Sequence, residues 1–319
     1  MSNTAVLAAP MRAARSVRRP VRWHIAVFLA PALLVYTAIM VLPLGATLRL
    51  AFYQSIDQQA LFAGLANFRT LFGDARWSYH FWNALGNNSY FFLIHMVLMV
   101  PLAILLAALL SLPRLRGANL YRTAIFMPTM LSFVIVAFVW RLILSPIWGI
   151  TPELLDLLGL GALFAPYLGK EAYALSTLGL ISVWKELGVP MILMYSAMLA
   201  IPDEVIEAAE VDGIVGIAQF FKIKLPLLWP TVGVVTILTF VSNFNAFDLI
   251  YTAQGVSAGP NYSTDILGTL LYRTFFGAQF QAGDAHMGSA IATMMFVIIL
   301  AVVCAYLYLV QRRLVRYQF

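Results

Sequence analysis

Apolar residues run in six long stretches along the 319-residue chain, at about 25–52, 87–110, 123–144, 172–201, 225–252 and 287–310, with polar segments between them. Each stretch reaches or exceeds the roughly 20 residues a helix needs to cross the hydrocarbon core of a bilayer. The period-two alternation of a membrane β-barrel is absent, so the stretches predict helices, whose backbone polar groups are satisfied internally. The connections at 53–86, 145–171 and 253–286 carry Gly, Pro, Asn, Asp and aromatic residues, as suits a membrane surface, and none is long enough for an independent domain. Of the other connections, 111–122 is short and basic, whereas 202–225 is longer and patterned. One all-α integral membrane domain over 25–311 is expected, between a basic cytoplasmic segment at 1–24 and a cytoplasmic tail at 312–319.

Within 202–226 the pattern predicts a helix, a turn and a second helix. Asp203 can cap the first, and Glu204, Glu207 and Glu210 recur at every third position on one face. Gly213 tolerates positive φ and ends that helix. Phe220, Phe221 and Ile223 give the second an apolar side before Pro226 leads into the fifth stretch. A connecting loop has no need of helices specified this fully.

Hydrophobic residues make up 62% of the chain and charged residues 11%, with a mean hydropathy of +0.86, far outside the range of soluble domains. The net charge of +6 follows the collection of Lys and Arg on the cytoplasmic side of membrane helices rather than an affinity for nucleic acid. With the N-terminus inside, the basic residues of 12–22, 114–122, 222–224 and 312–316 are cytoplasmic, thirteen of the twenty, and both termini are cytoplasmic. The Arg-rich start precedes an uncharged run of about 24 residues with no small-residue cleavage site, so it predicts a retained first helix and not a secretory signal. Cys304, the sole cysteine, falls in the sixth stretch and leaves no disulfide framework and no thiolate metal site. His24, His80, His95 and His286 are scattered, without a carboxylate cluster at ligand spacing, and no nucleophile elbow occurs. Neither an enzyme active site nor a metal site is expected.

The run Glu207-Ala208-Ala209, three residues ending in Asp212, Gly213, nine residues, then Ile223-Lys224-Leu225-Pro226 resembles the EAA signature of the membrane subunits of ATP-binding-cassette importers. Seven fixed positions would match by accident in roughly one chain of this length per million, given typical residue frequencies. Arg122-Thr123-Ala124-Ile125-Phe126-Met127-Pro128 with Val139-Trp140, and Asn243-Phe244-Asn245-Ala246-Phe247-Asp248-Leu249-Ile250-Tyr251, look like the third and fifth spans of the carbohydrate-uptake branch, the maltose and glycerol-phosphate type. That branch usually continues L-T-x-G-G-P, and the segment 253–260 here is longer and lacks the Thr.

The resemblance implies a type I importer permease with six transmembrane helices in the inner membrane of a bacterium. It implies a second, homologous permease, an ATPase homodimer below, an extracytoplasmic solute-binding protein above and a carbohydrate substrate. In the family, the first short helix seats in a groove of the ATPase, the residue matching Glu207 makes an ion pair there, and the residue matching Gly213 makes the turn. No G-x-x-x-x-G-K-[ST] phosphate cradle occurs in this chain, so ATP and Mg belong to the partner ATPase and no cofactor is expected on this chain. The rival is an ion-coupled secondary transporter working alone, which predicts repeated halves and helices broken at matching positions; the sequence suggests one such break.

Polar residues inside apolar stretches are candidates for a solute path. Thr239, Ser242, Asn243 and Ala246 follow helical i, i+3, i+4, i+7 spacing and share a face. In maltose-type subunits this face contacts sugar, and Ala246 stands where they have a polar residue; for Asn243, bonding between helices is the other reading. On a continuous helix Asn245 and Asp248 point about 200° and 140° from Asn243, so all three are not expected on one narrow path. Lys185 and Glu186 lie just before Gly188 and Pro190, where the fourth helix can unwind locally; a place on the path and a buried interhelical ion pair both fit them. The resemblance adds substrate contacts near Gly188 and Met191. Trp140, Trp184 and Tyr251 read mainly as packing or interface anchors.

Overall fold

The computed structural model describes residues 23–56, 59–112, 115–278 and 282–311. The terminal segments 1–22 and 312–319, with all their basic residues, lie outside the described residues, as does Arg114. The described residues divide into two compact units between Ala46 and Thr47. The first holds most of helix α1 (Val27–Leu50). In the second, a hairpin pairs β1 (Tyr53–Ile56) with β2 (Gln59–Phe62), Tyr53 opposite Phe62. Then come α2 (Ala66–Gly73), α3 (Ala75–Leu110), α4 (Ala118–Met130), α5 (Phe133–Ile143) and α6 (Thr151–Leu157). They are followed by α7 (Glu171–Glu186), α8 (Gly188–Leu199), α9 (Asp203–Val211), α10 (216–244), α11 (Asp248–Gln254), α12 (Leu267–Phe276) and α13 (Ala285–Leu309).

The six apolar stretches are helical; the break expected in the fourth is present, and other boundaries and breaks differ from the expectation. The second helix begins at Ala75 rather than near 87, because the Asp74 carboxylate accepts from the Arg76 and Trp77 amides and caps an amphipathic extension. The third stretch is two helices, α4 and α5, bent by 96°; after Pro128 the chain extends at Leu131, and Ser132 caps α5 through the Ile135 amide. The fourth is broken at Leu187, where α7 and α8 meet at 46°. The fifth ends at Phe244, and α11 follows a non-helical turn at 245–247. Among the described residues four helices are long and apolar enough to cross a membrane, and six spans result if each bent pair crosses once.

Three prolines inside helices are accommodated in one way. The wide turns Thr37–Val41, His95–Met99 and Phe220–Lys224 end two residues before Pro43, Pro101 and Pro226. In each, the residue before the proline bonds five residues back instead of four: Leu42 to Thr37, Val100 to His95, Leu225 to Phe220. Widening the turn relieves the clash between the proline ring and the carbonyl four residues earlier. A consequence is that the expected second helix of 202–226 is not separate; it continues from Gly216 through Pro226 into the fifth span.

Small side chains bring the helices of the second unit close. Ala103 and Ala107 on α3 are fully buried where α8 packs, beside Met194 and Met198. A Cβ on Gly179 of α7 would meet Ile94 Cδ1 at 2.7 Å. Along α3, Val100, Ala103, Ala107 and Leu110 are buried while Leu98, Leu102, Leu105 and Leu109 are exposed. An apolar exposed stripe beside an apolar buried one belongs against lipid rather than water.

Polar side chains tie the segment between α11 and α13 to α3. Asn88, fully buried, donates to the Asn243 carbonyl at 2.9 Å and accepts from the Leu267 amide at 2.8 Å. Asn87 donates to the Asp265 carbonyl at 2.8 Å. The buried Asp265 carboxylate takes both ends of the Arg273 guanidinium at 2.5 Å and the Thr269 hydroxyl at 2.7 Å.

Candidate functional site

Helices α3, α7 and α10 bring four polar side chains to one point. His95, at the start of the α3 wide turn and fully buried, places Nδ1 2.9 Å from the Phe91 carbonyl oxygen, which can only accept, so the Nδ1 proton is committed there. Its Nε2 lies 3.1 Å from Ser182 Oγ and 3.4 Å from Glu186 Oε2. From the other side Ser242 on α10 donates to Glu186 Oε1 at 3.1 Å. Lys185 turns away: its ammonium sits 3.8 Å from the Phe133 ring centroid, a cation–π contact. Neighbouring helical residues diverge by about 100°, which separates the two adjacent charges.

Glu186 and Ser242 line two cavities, one of about 200 Å³ and one of about 220 Å³. The first also takes Lys185, Thr239 and the Thr129 hydroxyl, which is buried without a partner. The second takes Asn243, Asn245 and Asp248 beside Phe91, Phe133 and Phe247. This corrects the expectation that Asn243, Asn245 and Asp248 diverge. That projection assumed a continuous helix, and the helix ends at Phe244, so the following turn brings all three to one wall. Asn243 is 1% exposed and its Nδ2 has no partner among the described residues. Its backbone carbonyl takes the bond between helices, from Asn88.

Gly188 and Met191 line neither cavity. A Cβ on Gly188 would meet Thr129 Oγ1 at 2.6 Å and Phe126 Cα at 2.9 Å, so this glycine permits α8 to cross α4 closely. Met191 is fully buried in the packing of α8 against α3. Trp140 and Trp184 pack edge to face at 5.7 Å, and Tyr251 stacks on Phe247 at 4.8 Å. The histidines are not all isolated as the sequence suggested, since His95 meets a carboxylate from a different helix. The available signal was an imidazole inside a long apolar run, where an unpartnered polar group is costly.

The second feature is α9 together with the turn that ends it. Its N-cap is Pro202 and not Asp203, which opens the first turn, where a carboxylate suits the positive end of the helix. Gly213 adopts φ +75°; its amide bonds to Glu210 O at 3.0 Å and the Ile214 amide to Ala209 O at 2.8 Å, a Schellman ending. Ala209 is buried, whereas Glu204, Glu207, Ala208, Glu210 and Asp212 are exposed. Beside these carboxylates stand Val211 at 89%, Ile217 at 79% and Phe221 at 60% exposure. Ile223, Leu225 and Pro226 are half-buried in the start of α10.

A model of the family described as "Binding-protein-dependent transport system inner membrane component" matches residues 99–317. The chain belongs to this family. As an inner membrane component it is a multi-pass transport protein, and its family is not catalytic. It is 31% identical over 277 residues to the Probable ABC transporter permease protein YurN of Bacillus subtilis (strain 168), covering 86% of this chain and 91% of that one. It is 29% identical, also over 277 residues, to the lactose transport system permease protein LacF of Rhizobium radiobacter, covering 86% and 89%. Its fold is similar to that of a chain in the crystal structure of a bacterial ABC transporter involved in the import of the acidic polysaccharide alginate. The TM-score there is 0.76 at 22% identity, covering 91% of this chain and 96% of that one.

Proposed function

We propose that this inner membrane component is the six-span permease subunit of an ATP-driven importer for a sugar or sugar derivative. It works with a second permease, a pair of ATPase subunits and an extracytoplasmic solute-binding protein. Both termini and α9 face the cytoplasm, and the cavities around Glu186 form part of the path. Support for the sugar class comes from the lactose permease relative and from a wall of amides, hydroxyls and carboxylates beside aromatic rings.

The observation that carries the coupling role is α9 itself, a short helix with one buried side chain, Ala209, and an exposed acidic face, set between Pro202 and the Gly213 turn. Such a helix moves as a rigid body, and its two ends continue into α8 and α10, which line the cavities. ATP binding closes the ATPase pair, α9 follows, α8 and α10 tilt, and the path turns from inward-facing to outward-facing so that the binding protein can deliver the solute. Hydrolysis resets it.

The test is Glu207→Arg in the assembled transporter. The variant is expected to insert and assemble while uptake falls at least about fivefold and ATP hydrolysis no longer responds to the binding protein, as loss of a coupling of roughly 1–3 kcal/mol would give. Normal uptake by this variant would remove α9 from the power train.

A further inference from the structure

We infer that the second cavity beside Glu186 is charge-selective: it accepts neutral and cationic solutes, amino sugars among them, and disfavours anionic ones such as uronic acids and sugar phosphates. This rests on the sugar-import reading and narrows it. Glu186 and Asp248 both line this cavity, and among the described residues it is lined by no Lys, Arg or His. Lys185, the nearest cation in sequence, lines the other cavity and rests on the ring of Phe133, which lines this one, so two carboxylates stand against one ammonium held on an aromatic face. Glu186 Oε2 lies 3.4 Å from both Ser182 Oγ and His95 Nε2, whereas Oε1 takes only the Ser242 hydroxyl among the described residues and keeps a further lone pair. Asp248 is exposed at the first turn of α11, where the helix end favours its charge.

The neutral part of the wall points to a ligand independently of the carboxylates. The Asn243 amide is almost wholly buried and offers an Nδ2 donor that no group among the described residues uses. A donor for hydroxyl oxygens, carboxylates for hydroxyl or ammonium hydrogens, and the Phe91, Phe133 and Phe247 rings for C–H faces together suit a polyhydroxylated solute. An anionic solute would meet two like charges within one small cavity. The similar solved importer is involved in the import of an acidic polysaccharide, so a preference of this sign belongs to these side chains and not to the fold.

The test reads the local potential directly, without knowledge of the natural solute. In membranes carrying the full-length chain with its partners, Cys304 is replaced by Ala and the Ser242→Cys variant is reacted with three methanethiosulfonates: cationic trimethylammonium-ethyl, anionic sulfonatoethyl and neutral hydroxyethyl. Each rate is divided by that reagent's rate with a small free thiol. The cationic reagent is expected to be favoured over the anionic one about tenfold or more, as focused fields in clefts produce. Adding Glu186→Gln or Asp248→Asn should each lower that ratio, and both together should bring it near one. A ratio near or below one in the parent, or one untouched by the carboxylate substitutions, overturns the inference. So does failure of the neutral reagent to reach the thiol, since the cavity would then lie off the aqueous path. The reagents are not sugars, so these outcomes leave the import reading standing. That reading fails separately if neutral, amino and acidic sugars are all refused in uptake.

Discussion

Arg273 and Asp265 place full charges where almost no water reaches, at 6% and 0% exposure. The pair is tolerable because both guanidinium arms meet both carboxylate oxygens and Thr269 supplies a further bond. Removing one partner strands the other, which costs about 3–5 kcal/mol for a buried pair. Arg273→Ala is therefore expected to lower the Tm of the detergent-purified protein markedly, whereas Arg69→Ala, an exposed arginine on α2, should barely move it. Similar shifts for the two would show that the pair is not structural. His95 is different in kind. Its Nδ1 proton is fixed by a backbone carbonyl, so its Nε2 is aimed at Ser182 and Glu186, and it acts as the rigid back wall of the carboxylate that both cavities share.

At the scale of elements, the breaks in the helices matter more than their lengths. The 96° corner between α4 and α5 and the 46° corner between α7 and α8 draw polar groups toward one region, and α8 seats against α4 through Gly188. Gly188→Ala would drive a Cβ into the Phe126 backbone, so it is expected to destabilise by about 1–3 kcal/mol, the usual cost of overpacking. Gly86→Ala on α3, with nothing within 4 Å, should be neutral or slightly stabilising through helix propensity. Thermal unfolding of both variants checks this, and equal effects would refute the close crossing. The apolar stretches were legible in the sequence because bilayer thickness alone demands their length. The end of α9 was legible too, since Gly213 needs only local chemistry. The 46° corner was legible as well, since Gly188 and Pro190 mark where the fourth helix can unwind. The corner at Leu131 and the 245–247 turn were not, because no proline or glycine stands in either, and beside the turn the Asn243 carbonyl is met by Asn88 from a separate helix. The meeting of His95 with Glu186 was hidden for the same reason, being a contact between separate helices.

For the whole molecule, the two ends of the helix bundle differ in how tightly they are held. At one end Asn87 and Asn88 pin the segment before α13 onto α3, and the buried Asp265–Arg273 pair braces that segment internally. At the other, α9 keeps a single buried side chain and leaves its acidic face and Val211 open to a partner. Amide exchange follows the free energy of local opening, so the isolated chain in detergent should exchange rapidly over 203–215 and slowly over 264–274. The proposed function has ATPase subunits dock on α9, and with them bound protection is expected to rise over 203–215, by about tenfold or more for an interface that contributes roughly 1.4 kcal/mol to local stability. The 264–274 segment should stay unchanged, because a pinned end moves as one body with α3. Hydrogen–deuterium exchange followed by peptide mass spectrometry resolves both regions. Protection that appears over 264–274 and leaves 203–215 unchanged would place the ATPase at the wrong end of the bundle and overturn the assigned orientation. Protection over both would show that docking reaches through α8 and α10 to the pinned end, and the rigid-body account of coupling would give way to one in which the whole bundle repacks.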